Sequence, residues 1–141
     1  MESLQVIEEI RAEHKIILGY LHVLNAMPER RDIDIVNATI SQLMEVYDIW
    51  NKHEQKEEAF FKTLKNDFPV GKMEIEHKQI RGHWKVLFIA IESKDEEKIK
   101  IALETDGKMF VDKLEKHIAY EERLMDKYFY KSQIFPAEHT D

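Results

Sequence analysis

The chain has no cysteine among its 141 residues. That excludes disulfides, zinc ribbons, cysteine-ligated iron–sulfur clusters and thiol chemistry by this chain alone. Glycine and proline are scarce, at four and three residues, where a turn-rich β protein would need more. No apolar run approaches the ~18 residues of a membrane span, so no membrane partner is expected. Positive charge is in deficit: 21 Lys and Arg stand against 28 Asp and Glu, a formal net charge of -7. A nucleic-acid-binding surface needs net or clustered positive charge, and no nucleic-acid partner is expected. The opening MESLQVIEEIRAEH places acids where an export signal carries a basic region and an apolar core. The expected location is therefore cytoplasmic.

What is present is 43% hydrophobic and 10% aromatic residues, enough for one core in one domain of this length. Heptad-like spacing predicts four helices. The first takes Ser3 as N-cap, stops near Pro28 and carries the stripe Ile7, Ile10, Ile17, Leu21, Leu24. The second runs from near Asp32 to about Leu64 with Val36, Leu43, Val46, Trp50, Phe60 and Leu64. A turn at Lys65-Asn66-Asp67-Phe68-Pro69 leads to a third helix with Met73, Ile80, Trp84, Leu87 and Ile91. Ser93 with Glu96 reads as a capping box for the fourth, whose stripe is Leu103, Phe110, Leu114, Leu124 and Tyr128. Short connections between amphipathic helices predict an all-α, antiparallel up-down-up-down four-helix bundle over residues 1–130. Residues 131–141 are expected to form a tail.

Each stripe has gaps, and the gaps are polar. His14 interrupts the first, His53 and Glu57 the second, His77 the third, His117 and Glu121 the fourth. The two halves also repeat one another. EHKIILGYLHVL at 13–24 aligns with EHKQIRGHWKVL at 76–87, and HEQKEE at 53–58 aligns with HIAYEE at 117–122. Residues i and i+4 share one side of a helix. His53 with Glu57, and His117 with Glu121, therefore each aim an imidazole and a carboxylate at one point. With His14 and His77, four imidazoles and two carboxylates converge inside the bundle. An isolated ionised carboxylate is strongly disfavoured in an apolar core, and divalent cations would compensate two of them. Imidazole and carboxylate donors with spare positions suit non-haem iron, manganese or zinc. His22, His83 and His139 are expected to be non-ligands. Glu54, Glu58 and Glu122 read as solvated or outer acids, with Glu122 the alternative to Glu121 and Glu54 an alternative terminal ligand. At ~1.5 Å per residue, a straight fourth helix would place His117 about 8 Å further from the third turn than His77. Ragged helix starts or a bend at Gly107 are expected to absorb that offset.

The combination of Glu13-His14, HEQKEE at 53–58, Glu76-His77 and HIAYEE at 117–122 resembles the hemerythrin-like, or HHE cation-binding, domains from about residue 3 to 130. The resemblance implies a hemerythrin-like four-helix bundle around two non-haem iron ions with oxo or hydroxo and carboxylate bridges. It implies His14, His53, Glu57, His77, His117 and Glu121 as metal ligands. Two positions depart from the oxygen-carrying members, which have a further histidine where this chain has Arg81. They also have an aspartate five residues after the fourth-helix histidine, where this chain has Glu122. One ligand fewer favours redox reactivity, or sensing of oxygen, nitric oxide or iron, over storage. The implied partners are a small diatomic ligand or peroxide. A di-iron redox enzyme (ferroxidase, peroxidase-like or iron-donating repair protein) is the alternative. Arg81 is expected either to stabilise a bound anion or to pair with a surface acid.

Overall fold

The computed structural model describes residues 2–27, 32–64 and 68–129. The proposed stop at Pro28, the Lys65-Asn66-Asp67 part of the second turn, His139 and the tail at 131–141 lie outside them. Helix α1 spans Glu2–Asn25, α2 Ile33–Phe61 and α3 Val70–Ser93. The fourth rod of the bundle is α4 (Glu96–Ala102), a π-helical turn (Leu103–Gly107) and α5 (Lys108–Met125). The described residues contain no strand. Helix α1 packs on α2 and α5, and α3 packs on α2, α4 and α5. That is the expected square of antiparallel helices. No described helix is long and apolar enough to cross a membrane.

The helix ends follow local chemistry and correct two expectations. Asp32 caps α2, its carboxylate accepting from the Ile35 amide, as a side-chain N-cap does. Ser3 lies inside α1 and not before it. The fourth rod is capped by Asp95, whose side chain accepts from the Glu97 and Lys98 amides. Ser93 is the last residue of α3 and its hydroxyl donates to the Ala90 carbonyl. The capping box fails because Lys94 turns the chain through a left-handed conformation (φ 57), and the N-cap position moves two residues on.

The core forms two apolar layers. One contains Ile17, Leu21, Val46, Trp50, Ile80, Trp84, Phe110, Leu114 and Ile118. Within it Trp50 meets Phe110 edge-on at 6.2 Å and Tyr47 stacks on Trp84 at 4.3 Å. The other contains Ile7, Ile10, Phe61, Phe68, Met73, Met125 and Phe129. The gap residues His14, His53, Glu57, His77, His117 and Glu121 lie between them in sequence on every helix, and all six are buried.

At three stripe positions a neighbour of the residue that spacing favours reaches the core. Phe61, not Phe60, reaches the core, and Met125 and Phe129 replace Leu124 and Tyr128. At ~100° per residue Phe61 lies near the line through Trp50 and Glu57, whereas Phe60 is rotated well away. Met125 follows the line of Leu114, Ile118 and Glu121. A second π turn at 126–129 holds an extra residue and rotates Phe129 inward. Leu24, Leu64, Ile91 and Leu103 are partly exposed rather than buried. The π turn at Leu103–Gly107 is the local departure foreseen at Gly107. It takes up one residue in the half whose His–His spacing is longer by one.

Replacing Asp95 with Ala removes two amide partners and is expected to lower stability by about 1 kcal/mol in urea unfolding. Lys94→Gly relieves a left-handed non-glycine residue and is expected to raise it. Equal stability of Asp95→Ala and the parent would show that the cap contributes nothing.

Candidate metal centre

The six gap residues meet at one place. His14 Nε2 lies 2.9 Å from Glu121 Oε1 and 3.0 Å from Glu57 Oε2. His53 Nε2 is 2.8 Å from Glu57 Oε2. His77 Nε2 is 3.3 Å from Glu57 Oε1 and 3.6 Å from Glu121 Oε2, and His117 Nε2 is 2.8 Å from Glu121 Oε2. The rings pair across the helices, His14 with His53 at 4.7 Å and His77 with His117 at 4.6 Å. So the expected offset of His117 from His77 is absent where it matters.

Each imidazole turns Nε2 inward because an acid holds its other nitrogen. His14 Nδ1 bonds Glu122 (2.6 Å), His53 Nδ1 bonds Glu13 (2.6 Å), His77 Nδ1 bonds Glu58 (2.9 Å) and His117 Nδ1 bonds Glu76 (2.5 Å). A carboxylate only accepts, so Nδ1 donates in each pair, which orients the ring and raises the basicity of Nε2. Arg11 bonds Glu122, and Lys56 bonds Glu13 at 2.6 Å. Basic side chains therefore hold two of the four acids in turn.

Sequence reasoning singled out the six inner residues but gave Glu13 and Glu76 no role. The signal was in the repeat, where an acid precedes the first histidine of both hairpins. Of the open choices, Glu121 sits in the interior and Glu122 on the outer nitrogen of His14. Glu54 is a correction: it is 2% exposed, not solvated, and is paired with Arg81. Arg81 also lies 3.7 Å from Glu58 and is 40% exposed. It pairs with acids, though with buried Glu54 and half-buried Glu58 rather than with the surface acid expected. His22 is exposed and His83 bonds Asp106 at 3.0 Å.

The inner donors form two overlapping sets, His14-His53-Glu57-Glu121 and His77-His117-Glu57-Glu121. Within each, one donor atom per residue lies within 4.8 Å of the others. In the second set Glu57 Oε1, Glu121 Oε2, His77 Nε2 and His117 Nε2 are buried without a hydrogen bond. They are close but misaligned for N–H···O bonding. Buried polar atoms normally have partners, and a cation among these donors would supply one. Glu57 and Glu121 belong to both sets and have two oxygens each, so the residues fit a pair of ions. The neutral-imidazole and carboxylate donors are those of non-haem iron, manganese and zinc.

The electrostatics of the buried donors follow from their neighbours. Burial disfavours charge on His14, but hydrogen bonds with Glu121, Glu122 and Glu57 prevail and raise its pKa to about 11. The same contest, burial against Glu121 and Glu57, raises His77 to about 10. Burial against Glu121 and Glu76 raises His117 to about 9. Burial pushes Glu57 up, but His14, His53 and His77 hold it well below the usual carboxylate range. Protons on imidazoles thus balance the buried carboxylates, and binding a cation must release them.

The pH dependence of the metal-free protein follows. The raised histidines contribute stability that is complete below their unfolded value of 6.5 and is lost as pH rises toward about 9 to 11. Glu57, and Glu13, Glu76 and Glu122 with lowered values, contribute stability above 4.5 that is lost as pH falls. Chelator-treated protein is expected to melt highest between about pH 5 and 6.5 and at falling temperature up to about pH 10. Melts followed by circular dichroism check this, and a melting temperature that rises across that range would contradict it.

Comparison with known proteins gives one match to a family. The hemerythrin HHE cation binding domain matches residues 5–129 of this chain. Searches among curated proteins and among solved structures gave no match.

Proposed function

The chain belongs to the hemerythrin HHE cation-binding domain family, and from that premise we propose that it holds two non-haem iron ions. His14 and His53 hold one, His77 and His117 the other, and Glu57 and Glu121 are shared. A small diatomic ligand, oxygen or nitric oxide, or peroxide is bound, sensed or reacted with there. The observation that carries this reading is the pair of overlapping four-residue sets joined by two fully buried carboxylates. Two iron ions, when bound, would supply one-electron redox couples at this centre.

The rest is the work of this chain's own side chains. Glu13, Glu58, Glu76 and Glu122 hold the four imidazoles in orientation and accept Nδ1–H. Trp50 meets the His77 ring edge-on at 6.1 Å, and with Phe110 and Ile118 it keeps water from one side of the centre. Ile10, Phe61, Met73 and Met125 do so on the other. Arg81 occupies the place where the resemblance to oxygen carriers would put a fifth histidine. Its side chain is tied to Glu54 and lies near Glu58, so it adds no donor to the second set. Two imidazoles per ion support a reactive or sensing centre over oxygen storage.

Protein purified without chelators is expected to carry about two irons per chain, with charge-transfer absorption in the near ultraviolet. His53→Leu with His117→Leu removes one imidazole from each set and is expected to abolish iron retention with the helical fold kept. Unchanged iron in that variant, or no iron retained by the parent after anaerobic addition, overturns the reading. Reversible recovery of the spectrum after oxygen removal separates binding from turnover, and steady consumption of peroxide or nitric oxide with a supplied reductant identifies an enzyme.

A further inference from the structure

The two hairpins correspond residue for residue at the centre: Glu13 with Glu76, His14 with His77, His53 with His117, Glu57 with Glu121 and Glu58 with Glu122. Among the positions near it where the correspondence breaks, two change the polarity of its flank. Leu18 in the first hairpin corresponds to Arg81 in the second, and Ile118 corresponds to Glu54. Where the second histidine helix of one hairpin seals with Ile118, which is 1% exposed, that of the other carries a buried acid. Each imidazole Nδ1 already has its own carboxylate, so orienting the rings does not require Glu54. Its carboxylate lies 3.5 Å from His77 Nδ1 and is bonded to Arg81.

We propose that the Arg81–Glu54 pair marks the entry route of the cation. Once the Arg81 guanidinium swings away from Glu54 and Glu58, those two acids would receive an incoming divalent cation beside His77 and pass it to Glu57 and Glu121. The proposal rests on the reading of the six inner residues as cation ligands.

Four observations support it. Glu54 and Glu58 offer carboxylate oxygens within 4.8 Å of each other beside His77, and because His77 Nδ1 donates to Glu58 the two acids alone receive the cation there, as carboxylate oxygens can. A guanidinium already sits against these acids, so positive charge is what the place holds, and a divalent ion replaces like with like. Arg81 is 40% exposed and can leave toward solvent without opening the packed core. Finally, another opening is less favourable: a cavity of about 200 Å³ between α3 and α5 reaches His117, but two lysines, Lys113 and Lys116, line it against one acid, Glu76, which is itself bonded to His117. The His77 ring lies between the two places, its Nδ1 edge at Glu58 and its Nε2 edge toward Glu57 and Glu121, which makes the handover short.

Loading of metal-free protein with cobalt(II) under anaerobic conditions tests this, because the growth of its visible d–d bands reports entry without any turnover. Glu54→Ile copies the residue of the other hairpin, and Glu54→Gln keeps the shape without the charge. Both are expected to load at least tenfold more slowly, to the same final cobalt content as the parent. Arg81→Leu is expected to load faster, and Lys113→Ala at the parental rate. Parental rates in both Glu54 variants overturn the proposal. So does a lower final cobalt content in Glu54→Gln, which would make Glu54 a ligand of the centre, or faster loading of Lys113→Ala, which would place the route at the α3–α5 cavity. A parent protein that binds neither cobalt nor iron defeats the reading of the six ligands instead, so the two failures are told apart.

Discussion

Two carboxylates with no access to solvent set the terms for this molecule. Glu57 and Glu121 are 0% exposed, and a charge in such a place needs close compensation of opposite sign. The surrounding side chains supply it in alternating layers. Four imidazoles face the carboxylates, four acids hold the far side of the imidazoles, and Arg11, Lys56 and Arg81 lie against three of those acids. Each layer makes sense only because of the one inside it. Removing an inner carboxylate would leave imidazolium charge unbalanced, and removing an outer acid would free a ring to turn.

This polar layer also explains the division of the core. An ordinary four-helix bundle of this length would carry one continuous apolar seam. Here the seam is cut into two clusters, each closing one end of the site. The aromatic density follows from that position: Trp50, Trp84 and Phe110 on one side, Phe61, Phe68 and Phe129 on the other. Large rings fill volume and exclude water where short aliphatic residues would leave gaps. A dry site in turn strengthens every electrostatic interaction inside it.

The repeat gives the centre its approximate two-fold symmetry, and the departures from the repeat give it a direction. Identical hairpins would present identical flanks. Arg81 and Glu54 make one flank polar, while Leu18 and Ile118 leave the corresponding flank apolar. The π turn at Leu103–Gly107 is a second asymmetry, set by an extra residue between the histidines of the second hairpin. A repeated unit thus supplies the donor geometry of the centre, and single substitutions within one copy make its two flanks differ.

Much of this was legible in the residues before any coordinates. Period and gap together are local properties: a 3.6-residue repeat marks the buried face, and a histidine or glutamate in that face stands out wherever the helix goes. Hence four helices, their antiparallel order and the convergence of His14, His53, Glu57, His77, His117 and Glu121 followed from the chain alone. What did not follow depends on neighbours distant in sequence or on backbone geometry that side chains do not announce. Phe129 turns inward because a π turn rotates it, and Asp95 replaces Ser93 as a cap because Lys94 adopts a left-handed conformation. Glu54 is buried because α3 brings Arg81 against it, 27 positions along the chain. Glu13 and Glu76 acquire their partners in the same way, 40 and 41 positions away. Periodicity along one helix tells which residues face inward, but the partner that a charge finds across the bundle is chosen by how the helices meet.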